Sequence, residues 1–189
     1  MTARQKYQGA PWLYDEVTGD IVGVKDPDGS EFYFQRAPYI GLFYDTTDQT
    51  DGSGATAMSF NTAAIQRGVR IVDGNKIYVD RAGVYNWQIS VQLANTDSQA
   101  HSFDIWGRKN GVDIPDSNTS YTVPSSHGGA SGRVVPALNF WMELAAGDYV
   151  QVMWYVDNAQ VRIEYTGVQT SPARPATPSI ILTVNEVAA

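Results

Sequence analysis

The segment Gly83-Val84-Tyr85-Asn86-Trp87-Gln88-Ile89-Ser90-Val91-Gln92-Leu93 decides the fold class. Tyr85, Trp87, Ile89, Val91 and Leu93 fall on one side of an extended chain. Asn86, Gln88, Ser90 and Gln92 fall on the other. A period of two over this length is a β-strand with one buried face. Wound as a helix, the same five apolar residues would scatter around the circumference. The pattern recurs downstream over Ser102 to Arg108, Tyr121 to Val123, Val134 to Leu144, Tyr149 to Val156, Val161 to Tyr165 and Ser179 to Val184. Lys109-Asn110-Gly111, Gly147-Asp148 and Asp157-Asn158 separate these strands, and an Asn-Gly pair suits the φ > 0 positions of a hairpin.

Upstream, Tyr39 to Tyr44, Ala57 to Phe60, Gly68 to Val72 and Lys76 to Val79 read as strands. Val72-Asp73-Gly74-Asn75-Lys76 is a tight turn, Asp45 to Ala55 is a polar loop, and Thr62 to Arg67 is the one place for a short helical turn. The chain is therefore all-β and antiparallel, with about eight to ten strands at the turn spacing of a sandwich or barrel.

Residues 1–38 read differently. Ile21-Val22-Gly23-Val24 and Glu31-Phe32-Tyr33-Phe34 flank Lys25-Asp26-Pro27-Asp28-Gly29-Ser30. Pro presets φ and Gly accepts φ > 0, so this is a β-hairpin. A lone two-stranded hairpin is marginal and needs something to dock on. The expected organisation is an N-terminal arm, residues 1–38, followed by one domain, residues 39–189. In the arm, Trp12, Leu13 and Tyr14 form an apolar cluster before Asp15-Glu16. With Phe32 and Phe34 they are the candidate anchor to a partner.

Composition narrows the function. The net charge is −7, spread as −2 over residues 1–38 and −5 over residues 39–189, with no basic stripe. Nucleic acid and anionic membrane surfaces are thus unexpected partners. No cysteine is present, which removes disulfides and thiolate metal sites. No stretch approaches the roughly 20 apolar residues of a membrane span, and Met1 to Trp12 lacks the apolar run of a signal peptide.

No catalytic, cofactor or metal site is expected. Of the two histidines, His101 lies in a polar turn and His127 in the Gly-rich loop Ser125 to Gly132, with nothing to orient a base against a nucleophile. That loop also lacks the Lys-Ser/Thr and the helix of a phosphate loop. Asp45, Asp48 and Asp51 are spaced three apart without a closing Glu, which suits a solvated turn better than a calcium loop.

Four motifs, in order, resemble a known family: Ala82-Gly83-Val84-Tyr85-Asn86-Trp87, Ile105-Trp106-Gly107-Arg108-Lys109-Asn110-Gly111, Leu144-Ala145-Ala146-Gly147-Asp148-Tyr149-Val150 and Pro178-Ser179-Ile180-Ile181-Leu182-Thr183. The stretch Tyr39 to Val184 is similar to the tumour-necrosis-factor-like jelly roll, the superfamily that includes the globular head of complement. Phe43 to Thr50 and Ile77 to Asn86 look like the version found in bacteriophage virion structural proteins. The resemblance implies a two-sheet antiparallel jelly roll of about ten strands that forms a homotrimer, and it implies no catalysis. The collagen-like stalk of complement-type members is missing, so no immune role is implied.

Several strands carry apolar residues on the side opposite their core face: Trp106, Trp141, Met153 and Tyr155. Aromatics and Met are enriched at subunit interfaces, so these four are the candidate trimer interface. The expected role is a capsid decoration (cement) protein in the virion, made in the host cytoplasm, with the arm on the major capsid protein. The alternative is a tail fibre or spike module that recognises a host receptor, glycan or protein.

Overall fold

The computed structural model describes residues 12–14, 21–33, 37–50 and 54–188. The chain divides into two compact units, Met1–Pro38 and Tyr39–Ala189.

The first unit is an antiparallel sheet in the order β1 (Trp12–Tyr14), β2 (Ile21–Lys25), β3 (Glu31–Tyr33). The expected hairpin is β2–β3. Its turn is closed by the Asp28 carboxylate, which accepts from Ser30 N at 2.9 Å, with Gly29 at φ 90°. A third strand joins it: Trp12-Leu13-Tyr14 is paired to β2 rather than being a loose apolar cluster. Three residues are too few to show a period in sequence. Phe34 lies outside the described residues.

The second unit begins with β4 (Ile40–Asp45), β5 (Thr56–Ala57), β6 (Thr62–Arg67), β7 (Val69–Val72), β8 (Lys76–Val79), β9 (Gly83–Val91) and β10 (Leu93–Asn95). It continues with β11 (His101–Lys109), β12 (Val112–Asp113), β13 (Thr119–Val123), β14 (Gly132–Val134) and β15 (Ala137–Leu144). It ends with β16 (Tyr149–Val156), β17 (Val161–Ile163), β18 (Gln169–Thr170), β19 (Ala173–Arg174) and β20 (Ile180–Ala188). Among the described residues there is no helix. Thr62 to Arg67, read as a helical turn, is strand β6, held by its ladder to β4.

Two sheets carry the domain. One runs β15-β9-β20-β4-β6; the other runs β12-β11-β16-β8-β7, with β13 beside β11 and β5 beside β16. Their facing sides form the core: Phe43, Tyr85, Trp87, Ile89, Leu182 and Val184 from the first, and Ile77, Phe103, Ile105, Val152 and Trp154 from the second. Trp87 stacks on Phe140 with centroids 6.2 Å apart, and Phe103 lies 6.2 Å from Trp154. Two hairpins turn as their sequences expect, with Asp73-Gly74 and Asn110-Gly111 all at positive φ.

The long alternating segment does not stay in one sheet. At Gln92 the chain steps from β9 to β10, which pairs β14 and β17 in a separate three-stranded sheet. Gln92 N donates to Ser179 O at 2.8 Å, and Gln92 O accepts from Glu164 N at 2.7 Å. Its two backbone groups thus serve different strands, and the step satisfies both.

Candidate interaction surfaces

Strand register places the outward side chains of the five-stranded sheet in cross-strand rows. One row is Trp141, Asn86, Asn185, Ile40 and Arg67; the next is Asn139, Gln88, Thr183, Leu42 and Ile65; the third is Ala137, Ser90, Ile181, Tyr44 and Thr62. Only Arg67, on edge strand β6, is charged. Trp141 is 66% exposed and Ile65 41%; Leu42, Tyr44 and Ile181 are half-buried. Asn86 Nδ2 donates to Asn139 Oδ1 at 2.6 Å, which satisfies the one buried polar side chain of these rows. Gln88, Ser90, Ala137, Asn139, Ile181 and Thr183 line a shallow depression at the centre.

The seven-stranded sheet is finished in the opposite way. Tyr78 and Tyr149 pack with centroids 5.1 Å apart, the Arg70 guanidinium lies 4.6 Å from the Tyr78 ring, and Lys76 Nζ lies 5.9 Å from the Tyr149 ring. Arg70–Asp80 at 2.9 Å, Lys76–Asp73 at 2.8 Å and Lys109–Asp148 at 3.0 Å add ion pairs. Such a surface is at home in water.

The four residues read as one interface are divided by this topology. Trp141 is on the five-stranded sheet; Trp106, Met153 and Tyr155 are on the other, with Trp106 directly opposite Met153. Met153 is 2% exposed within a single chain, packed beside Trp106 and Ala57, and has no surface left to offer. Trp106 is half-buried and its indole is fixed: Nε1 donates to Asp113 Oδ1 at 2.9 Å, and Arg108 Nε donates to the same oxygen at 2.6 Å. Arg108 first, and Trp106 second, hold the Asp113 carboxyl below its ordinary range. Trp106 and Trp141 nevertheless both line a cleft of about 320 Å³ between the sheets, which also takes in Ile105, Leu138, Phe140, Met142 and Val152.

In the arm, Trp12, Val24 and Phe32 stand in one cross-strand row, and Leu13 alternates to the other side. Trp12 is 53% exposed, Tyr14 57% and Phe32 54%. Leu13 is half-buried.

The polar residues singled out in the sequence are absorbed by structure. His101 opens strand β11, not a turn, and both ring nitrogens meet carboxylates: Nε2 lies 2.8 Å from Asp97 and Nδ1 3.1 Å from Asp157. The bond from His101 holds the Asp97 carboxyl below its ordinary value. The His127 loop is a tight turn, with reciprocal backbone bonds to Ala130 at 2.9 and 3.0 Å across Gly128-Gly129. Neither histidine accepts from a serine hydroxyl among the described residues. Asp45 is not solvated: it is 1% exposed and accepts from Thr47 N, Thr47 Oγ1, Asn61 Nδ2 and Ser59 Oγ at 2.7, 2.5, 3.2 and 3.3 Å. Asp48 accepts from Tyr165 N at 2.7 Å, and Asp51 lies outside the described residues. No three metal-ligating side chains converge among the described residues.

No family model matches the chain, and no curated protein matches it. Among solved structures it is similar to the crystal structure of murine APRIL at pH 5.0, over 80% of this chain and 100% of that one, with 12% identity and a TM-score of 0.50. At that identity the likeness is one of fold alone: the domain is an antiparallel jelly roll of the tumour-necrosis-factor type.

Proposed function

We propose that the chain is a structural protein of a bacteriophage particle: a homotrimer, joined through the outer face of its five-stranded sheet, that decorates the capsid shell and is fastened to it by the N-terminal arm. The observation that carries this reading is the near-absence of charge from three full rows of an outward-facing sheet. Depletion of charge with aromatic and aliphatic enrichment marks the core of a protein–protein interface. The other sheet, whose β7–β8 end carries paired cations and carboxylates, supplies the contrast within the same domain. Three copies, and a phage particle, are what the sequence resemblance implies. The arm adds a second contact. Trp12, Tyr14 and Phe32 expose more than half of their surface on a sheet only three strands wide, and burial of such anchors concentrates binding energy. Occupancy of many shell sites would stabilise the assembled capsid by mass action.

The test uses the full chain. Sedimentation should return three times the 20.7 kDa of one chain, and the protein should pellet with purified shells of its phage from which it has been stripped. The double variant Trp12→Ser, Phe32→Ser should stay trimeric and lose the pellet. A monomer overturns the self-assembly, and a trimer that ignores shells overturns the docking.

A further inference from the structure

From the outer face of the seven-stranded sheet we infer a second binding site, one for a neutral saccharide, centred on Trp106 and Tyr155. It is a shallow open depression lined by Asp104, Trp106, Asp113, Ile114, Asp116, Asn118 and Tyr155. Its strands belong to a different sheet from the proposed subunit contact, although Trp106, Ile114 and Asp116 also line the cleft that Trp141 reaches. The site does not use the arm, so it does not rest on the shell-docking reading.

Two aromatic side chains line it from adjacent strands: Tyr155 stands directly opposite Asp104 on β11, two residues from Trp106, so the pair is diagonal across the ladder. The wall beyond is the β12–β13 connection, Ile114 to Asn118, and it is fixed to β11. Ile114 N donates to Gly107 O at 2.9 Å, Ser117 Oγ accepts from Gly107 N at 3.2 Å, and the same hydroxyl donates to Ile114 O at 2.8 Å. The Trp106 ring is pinned by Asp113, which Arg108 holds in turn. A ring locked by its supporting bonds binds at lower entropic cost than a mobile one.

Around this platform the polar groups are unused. The carboxylates of Asp104 and Asp116, the amide of Asn118 and the hydroxyl of Tyr155 have no hydrogen-bond or ion-pair partner among the described residues. Asp116 also sits at φ 59°, a left-handed conformation that Asp tolerates better than most residues. Carboxylates only accept, whereas an amide donates and accepts. A ligand that fits has an apolar face for the rings and a rim rich in hydroxyl donors. A pyranose is built that way: its C–H face lies on an aromatic ring while its hydroxyls point to the edge. An organic cation would also stack on Trp. Choline is therefore the competing probe, whereas an anionic sugar would face three aspartates.

The five tryptophans give separate indole N–H signals in a ¹H–¹⁵N spectrum of the full chain, and Trp106→Phe identifies the one at issue. The probes are glucose, galactose, mannose and N-acetylglucosamine, as mono- and disaccharides, with choline chloride in parallel. At least one sugar should move the Trp106 signal saturably while the Trp87 and Trp154 signals stay in place. Tyr155→Ala and Asp116→Ala, each with an otherwise unchanged spectrum, should each weaken that sugar about tenfold or more. The inference is overturned if no sugar moves the signal, if both variants bind as tightly as the parent, or if choline moves it and the sugars do not.

Discussion

At the scale of residues, the domain is tied where its first and last strands meet. Tyr39 N donates to Glu186 Oε2 at 3.0 Å, and Glu186 N donates to Tyr39 O at 2.8 Å. Arg81 grips the same carboxylate through Nε at 2.9 Å and through Nη2, and its guanidinium lies 4.0 Å from the centre of the Tyr39 ring. Gly68 makes room: at φ 65°, a Cβ there would sit 2.2 Å from that ring. Tyr85 completes the knot by donating its hydroxyl to Arg81 O at 2.8 Å. Burial, and then the Glu186 charge, push the Tyr85 phenol well above its ordinary value. The folded state therefore keeps this proton at a pH where the unfolded chain, at about 10, gives it up. The stability tied to the proton is complete below about pH 10 and is lost as pH rises further. Urea unfolding at pH 8 and across pH 9.5 to 11 should show the parent weakening steeply above pH 10. Tyr85→Phe should start about 1 kcal/mol lower for its lost hydrogen bond and then fall less steeply. Parallel curves would refute the assignment. None of this knot was legible in the sequence, because Tyr39 and Glu186 are 147 positions apart and no local pattern joins them.

At the scale of elements, alternation made β9, β15 and β16 readable, and Asn110-Gly111 and Asp73-Gly74 fixed two hairpins. Alternation says which side of a strand a residue occupies, but not which sheet the strand joins. Trp106 and Trp141 look alike in sequence, each an aromatic between polar neighbours, yet β11 and β15 belong to opposite sheets. Conversely, Leu42, Ile181 and Trp141 come from three distant segments, and only the order β15-β9-β20-β4 sets them on one face. The uncharged surface was invisible until the register was known. It yields a discriminating pair of variants. Leu42→Asp and Ile181→Asp each put a carboxylate in the middle of the proposed contact, at positions only partly buried in a single chain and so tolerable to its fold. Each should convert the trimer to a folded monomer by light scattering, with unchanged circular dichroism. Tyr155→Asp, on the charged sheet, should remain trimeric. Trimers in all three would place the contact elsewhere.

At the scale of the whole molecule, the two units differ in what holds them. The domain buries Trp87, Trp154, Tyr85, Phe43 and Phe103 between its sheets, and opening it costs the burial of that entire core. The described part of the arm is three short strands on which Trp12, Tyr14 and Phe32 stay more than half exposed, and a sheet of that size gains little from closing. Amide exchange follows local opening rather than a molecular average, so the two units should separate in time. In the isolated protein the amides of Val24 and Phe32 should exchange orders of magnitude faster than those of Trp87 and Leu182. When the trimer is bound to its shell, the arm aromatics acquire the cover they lack, and the same two amides should slow by at least tenfold while the core amides change little. Equal protection of the arm before and after binding would mean that its aromatic row is not what the shell covers, and the anchor would have to be sought on the domain itself.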